Sequence, residues 1–129
     1  MALHGLAKLS GGVGGFAGFL GTLGVPLPGL MAWVVTIVEL VGGILLILGF
    51  LTQIAGVLIA LDMLGVILFA FILRGSPFLE NGAITWEKEA VFGVAALCLA
   101  LAGPGAWSVD EVYGGARTRG ETRTRARIA

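Results

Sequence analysis

The chain has 129 residues, of which 57% are hydrophobic and 12% charged, with a mean hydropathy of +1.00. Soluble domains are nearer a quarter charged, so this composition excludes an ordinary water-soluble fold. Eight basic residues balance eight acidic ones, which leaves no net field to attract nucleic acid or an anionic substrate. From Leu9 to Leu73 the only ionisable charges are Glu39 and Asp62, whereas Arg117, Arg119, Arg123, Arg125 and Arg127 crowd the C-terminus. Charges gathered at one end mark a membrane protein. A single cysteine, Cys98, excludes a disulfide framework, a thiolate metal cluster and an internal dithiol. No metal site and no catalytic constellation emerge.

In chain order, residues 1–9 are apolar apart from His4 and Lys8 but cover less than half a bilayer. They lack the basic n-region and cleavage site of a signal peptide and read as the last turns of a truncated first transmembrane helix. Phe16, Phe19, Leu20 and Leu23 share one helix face, which predicts a short interfacial helix over residues 13–24. The glycine pairs Gly11/Gly15 and Gly14/Gly18 are expected to permit close packing. Gly12-x-Gly14 has no preceding strand, so it is no dinucleotide fingerprint.

A hydrocarbon core about 30 Å thick needs roughly 20 apolar residues. Spans are predicted at about 30–51, 54–73 and 86–102, with Thr52-Gln53 as the turn between the first two. Thr85 is expected to cap the last, Glu87 and Glu89 to suit its positive dipole end, and Gly103-Pro104-Gly105 to stop it. Thr52/Gly56/Ala60 and Ala96/Ala100 are small-residue ladders for helix packing, and Cys98 is expected as a small packing residue. By the positive-inside rule the arginines put the C-terminus in the cytoplasm. Residues 111–129 then form a cytoplasmic tail expected to be disordered, after a transmembrane domain over residues 1–110. The fold class is an all-α membrane protein, a four-helix transmembrane bundle with its first helix truncated plus the interfacial helix.

A carboxylate at the bilayer centre costs about 2.5–3.5 kcal/mol on insertion scales, and two are present. Glu39 falls roughly 13–14 Å and Asp62 roughly 16–17 Å below the outer ends of adjacent antiparallel spans. Facing inward, they would share a proton. One reading is a protonatable site, a proton relay or an anchor for a quinone head group; the other is a protonated carboxyl holding helices together. His4 is a candidate third member, able to exchange protons near neutral pH. Lys8, Arg74 and Glu87, with Lys88 and Glu89, form a polar cluster at the outer face.

Six segments in register resemble the DoxX family of small bacterial membrane proteins. His4-Gly5-Leu6-Ala7-Lys8 is similar to its HGxxK signature, and Gly15 to Pro26 to its interfacial helix. Val38-Glu39-Leu40-Val41-Gly42-Gly43 carries its second-helix glutamate, and Asp62-Met63 resembles its acidic-Met pair. Trp86-Glu87 resembles its entry to the fourth helix. The segment from Gly103 to Asp110 resembles its closing GPGRWSLD, with Ala106 in place of the arginine. The resemblance implies a four-helix bundle in the bacterial inner membrane, linked to oxidoreductase systems. Relatives include a subunit of an archaeal thiosulfate:quinone oxidoreductase and a mycobacterial membrane partner of superoxide dismutase and a thiosulfate sulfurtransferase. The chain is therefore expected to be a subunit of a quinone-, thiol- or sulfur-linked membrane oxidoreductase. Its expected partners are the lipid bilayer, a redox protein and further copies of itself. The alternative is a non-catalytic scaffold that docks a partner.

Overall fold

Each of the two long hydrophobic runs forms a rod in the computed structural model, which describes residues 1–73, 75, 77–80, 82–105 and 107–113. Helices α1 (Ala2–Gly11) and α2 (Val13–Thr22) come first, divided at Gly12, whose φ of 92° suits glycine. Helix α3 (Pro28–Ile37) continues through a π-helical turn (Val38–Gly42) into α4 (Gly43–Leu48), and together they make the 21-residue rod Pro28–Leu48. Proline in the first turn gives up an N–H that would have no helical partner. Helix α5 (Thr52–Val66) and a second π-helical turn (Ile67–Ile72) make the rod Thr52–Ile72. At 1.5 Å per residue each rod is about 31 Å long, which matches the hydrocarbon core. Only 28% and 22% of their apolar windows are buried within the protein. A helix in the core of a soluble protein would be mostly buried, so these faces need lipid.

The four-helix transmembrane bundle is not what forms. Among the described residues the chain is mostly helical, with six joined helices, and only the two rods are long and apolar enough to cross a bilayer. Helix α6 (Glu87–Ala102), expected as a third full span, has 16 residues and is about 24 Å long, short of the core thickness. Nor is the fold wholly α. Strands β1 (Leu79–Glu80) and β2 (Ala83–Ile84) pair antiparallel across Asn81-Gly82, a dipeptide that favours a two-residue hairpin.

Several local expectations also change. Thr85 does not cap α6; its hydroxyl donates to the Pro77 carbonyl at 2.8 Å. Glu87 and Glu89 do sit in the first turn of α6, and Gly103, with φ 78°, ends it. Cys98 is exposed rather than packed inside. Open space surrounds Gly11, Gly14, Gly15 and Gly18, so they make no close packing. The close approaches lie elsewhere. A Cβ on Gly56 would meet the Ala96 carbonyl at 2.6 Å and the Ala100 Cβ at 3.0 Å. The small-residue ladders thus bring α5 against α6, the most extensive helix contact in the fold.

The turn between the rods is residues 49–51, not Thr52-Gln53. Thr52 already begins α5 because its end is capped from far along the chain. Asp110 Oδ1 accepts from the Leu51 N–H at 2.8 Å, and Oδ2 accepts from the Thr52 N–H and hydroxyl, both at 2.9 Å. The Asp110 N–H returns a bond to the Gly49 carbonyl at 2.9 Å. These donors, led by the Thr52 N–H, hold the Asp110 carboxyl below the usual carboxylate range. The closing Ser108-Val109-Asp110 stretch is thereby the clamp on the inter-rod turn. Arg74, Ala106 and the arginine-rich residues 114–129 lie outside the described residues.

Candidate functional site

Residue 38 is the midpoint of the first rod and Asp62 that of the second, so Glu39 and Asp62 both fall at mid-span. Glu39 belongs to the π-helical turn and is 3% exposed. A π turn widens the backbone locally and is frequent at functional sites. A Cβ on Gly5 would lie 2.5 Å from the Leu40 backbone nitrogen, so only glycine lets α1 press onto this turn. One helical turn after Gly5, on the same face, comes Lys8.

Lys8 Nζ meets Glu39 Oε2 at 2.6 Å in an ion pair whose carboxyl is almost wholly shielded. The same ammonium stands 4.5 Å from the centre of the Phe16 ring, a cation–π contact supplied by α2. The HGxxK spacing thus has a mechanical reading: glycine gives the approach and lysine the charge. Sequence reasoning placed Lys8 in an outer-face cluster and paired Glu39 with Asp62. The ammonium contact to Glu39 was missed, although a lysine near the end of a short helix is the nearest cation able to neutralise a mid-span acid.

The pair faces a chamber of about 270 Å³ lined by residues of α1, α2, the first rod, α5 with its π turn, and α6. His4 lines it and contacts Phe92 edge-to-face with centroids 5.8 Å apart. Phe16, Phe19, Leu20 and Leu23, read from sequence as the apolar face of an interfacial helix, roof it. Asp62 is close enough to interact electrostatically with both Glu39 and Lys8.

Glu89 lines the chamber as well, whereas Glu87 is exposed and is not among its lining residues. Helix phase separates the two glutamates. Glu89 lies seven and eleven residues before the buried Ala96 and Ala100 and so shares their inward face. Asp62 Oδ2 and Glu89 Oε2 are buried without a hydrogen-bond partner among the described residues. Buried carboxyl oxygens nearly always have one, so these two atoms are ready to engage a proton or a ligand. No group of three or more His, Cys, Asp or Glu among the described residues could hold a metal ion.

Two long apolar rods, a short helix wedged onto a mid-span π turn by glycine, and a shielded lysine–glutamate pair define a multi-pass membrane protein with a polar interior. The DoxX family model matches residues 1–72, where α1, the ion pair and both rods lie, and the chain belongs to the DoxX family. It is 35% identical over 101 residues to the Bacillus subtilis (strain 168) protein named "Putative oxidoreductase CatD". That match covers 78% of this chain and 69% of the relative. No solved structure matches significantly. An association with oxidoreductase systems and with the membrane follows from this membership and this relative.

Proposed function

We propose that the chain is the membrane subunit of a quinone-linked oxidoreductase system, with the mid-span chamber receiving the quinone head group. The observation that carries this reading is the chamber's chemistry. Lys8 pairs with Glu39 on its wall, Glu89 lines it with a carboxyl oxygen that has no partner among the described residues, and Asp62, outside the lining itself, interacts electrostatically with Glu39 and Lys8. A quinone carbonyl accepts a hydrogen bond from a protonated carboxyl, and its reduction requires protons that such groups can deliver. Lys8 pairs with Glu39, His4 stands beside Phe92 on the chamber wall, and Asp62 and Glu89 are the carboxyls that exchange protons with the head group. The lone cysteine offers no dithiol, so electrons come from a partner protein. The arginine-rich C-terminus faces the cytoplasm of a bacterial cell by the positive-inside rule, which also places the clamped turn at residues 49–51 on that side.

The scaffold reading treats the buried acids as inter-helix glue. The Lys8–Glu39 pair, which joins α1 to the first rod, fits that reading for Glu39, whereas Asp62 Oδ2 and Glu89 Oε2 have no partner among the described residues. The test is purification of the tagged protein from native membranes in mild detergent, followed by mass spectrometry of proteins and extracted quinones. The expected result is near-stoichiometric quinone and an oxidoreductase partner, with the quinone lost from a Glu39→Gln, Asp62→Asn variant. Quinone no higher than in the surrounding membrane, with the same partner retained by the variant, would make this protein a scaffold.

A further inference from the structure

The chamber is one of two cavities that share a wall. A second cavity of about 360 Å³ lies between α5 and α6, and Met63 and Glu89 line both. Glu89 apart, every residue lining the second cavity is apolar. Its lips are formed by Leu61, Leu64 and Val94, which are 59%, 60% and 61% exposed and on these lipid-facing helices meet hydrocarbon. The volume falls within the range of about 300–1,000 Å³ typical of ligand pockets. An oily groove open sideways thus shares with the polar chamber the side chain of Glu89, whose Oε2 is buried without a partner among the described residues.

We propose that this groove is the seat of the hydrocarbon tail of a lipid-soluble quinone. The ligand enters laterally from the bilayer between α5 and α6 and passes its head group by Glu89 into the chamber. The proposal rests on the quinone reading above and narrows it. The ligand class is a long-chained quinone, and Glu89 stands at the junction of head and tail. Two features favour this occupant over a phospholipid chain. The groove shares Met63 and Glu89 with a polar chamber, so the two are separated by single side chains. The residue at the junction also offers a neutral head both a donor, when protonated, and an acceptor, when ionised.

The test uses the full chain in phosphatidylcholine nanodiscs and two probes that share a dimethoxy-methyl-benzoquinone head, one with a decyl tail and one without. Binding is read by tryptophan-fluorescence quenching in the wild type and in Ala90→Phe, which fills the groove from the α6 wall. Partition of the tail into the nanodisc is common to both proteins, so the ratio of affinities reports on the groove. Ala90→Phe is expected to weaken the tailed probe at least about tenfold and the tailless probe less than about twofold. Leu64→Phe, which fills the groove from α5 without adding a tryptophan, is expected to do the same. Equal affinities of wild type and variants for the tailed probe would overturn the groove assignment and leave the chamber reading standing. So would displacement of the tailed probe by an equal concentration of palmitate. No binding of either probe to the wild type would overturn both.

Discussion

Replacing Lys8 with methionine is expected to destabilise the protein by about 3–5 kcal/mol, because it leaves the Glu39 carboxylate buried without its counter-charge. Glu39 is shielded on every side, and its ammonium partner lies at 2.6 Å. The loss includes the contact between the Lys8 ammonium and the Phe16 ring, worth about 0.5–2 kcal/mol. The companion variant distinguishes a missing pair from a missing side chain. Lys8→Met combined with Glu39→Leu removes both charges, and buried ion pairs replaced by apolar residues are often neutral or stabilising. The double variant is therefore expected to recover most of the lost stability while abolishing any function that depends on Glu39. Thermal unfolding of the four members of the cycle in one detergent checks this. A loss in the double variant equal to the sum of the losses in Lys8→Met and Glu39→Leu would show that the pair is not coupled.

Gly5→Ala should be nearly as damaging, although it adds one methyl group. The new Cβ would stand 2.5 Å from the Leu40 nitrogen and 2.8 Å from its Cα, and a backbone cannot swing aside as a flexible side chain does. Overpacking costs about 1–3 kcal/mol, and relief requires α1 to lift off the π turn. Lys8 is carried on that helix, so lifting it also lengthens the ion pair. Gly14→Ala is the control, since nothing lies within 4 Å of the Cβ it would gain. In the interior of α2, alanine is favoured over glycine by up to about 1 kcal/mol. The melting temperature is expected to fall in Gly5→Ala and to hold or rise in Gly14→Ala. A fall of the same size in both would mean that helix packing at Gly5 is not what positions Lys8.

Much of this architecture is legible in the sequence because membranes impose a one-dimensional constraint. The apolar runs read as 30–51 and 54–73 are the rods Pro28–Leu48 and Thr52–Ile72. The amphipathic stretch 13–24 contains α2, and the DoxX-like segments lie on elements that build the chamber, except the closing one, which clamps the inter-rod turn. What stayed hidden was mostly three-dimensional register. Hydropathy counts Trp86 to Ala102 as a span, yet the helix it forms is too short to cross alone. Glycine pairs at spacing four in α2 look like packing ladders, but among the described residues only Gly5, Gly42, Gly43, Gly49, Gly56 and Gly93 have a neighbour close enough to crowd an added Cβ. The Asp110 clamp joins residues 58 and 59 positions apart, a pairing that no local propensity encodes. Two signals were present and went unread. The Asn81-Gly82 dipeptide is the sequence signal for the hairpin, and the phase of Glu89 with Ala96 and Ala100 marks it as the inward glutamate.

Infrared difference spectroscopy reads directly whether Asp62 and Glu89 exchange protons with a quinone in the chamber. The protein is loaded with a tailed quinone, its native partner or an electrode reduces the quinone, and the carboxyl C=O region is compared before and after. The account predicts a change in the band of a protonated carboxyl that disappears in Asp62→Asn or in Glu89→Gln and persists in Glu87→Gln. A spectrum in which quinone reduction leaves the carboxyl region unchanged, or in which neither inward variant alters it, would contradict the account.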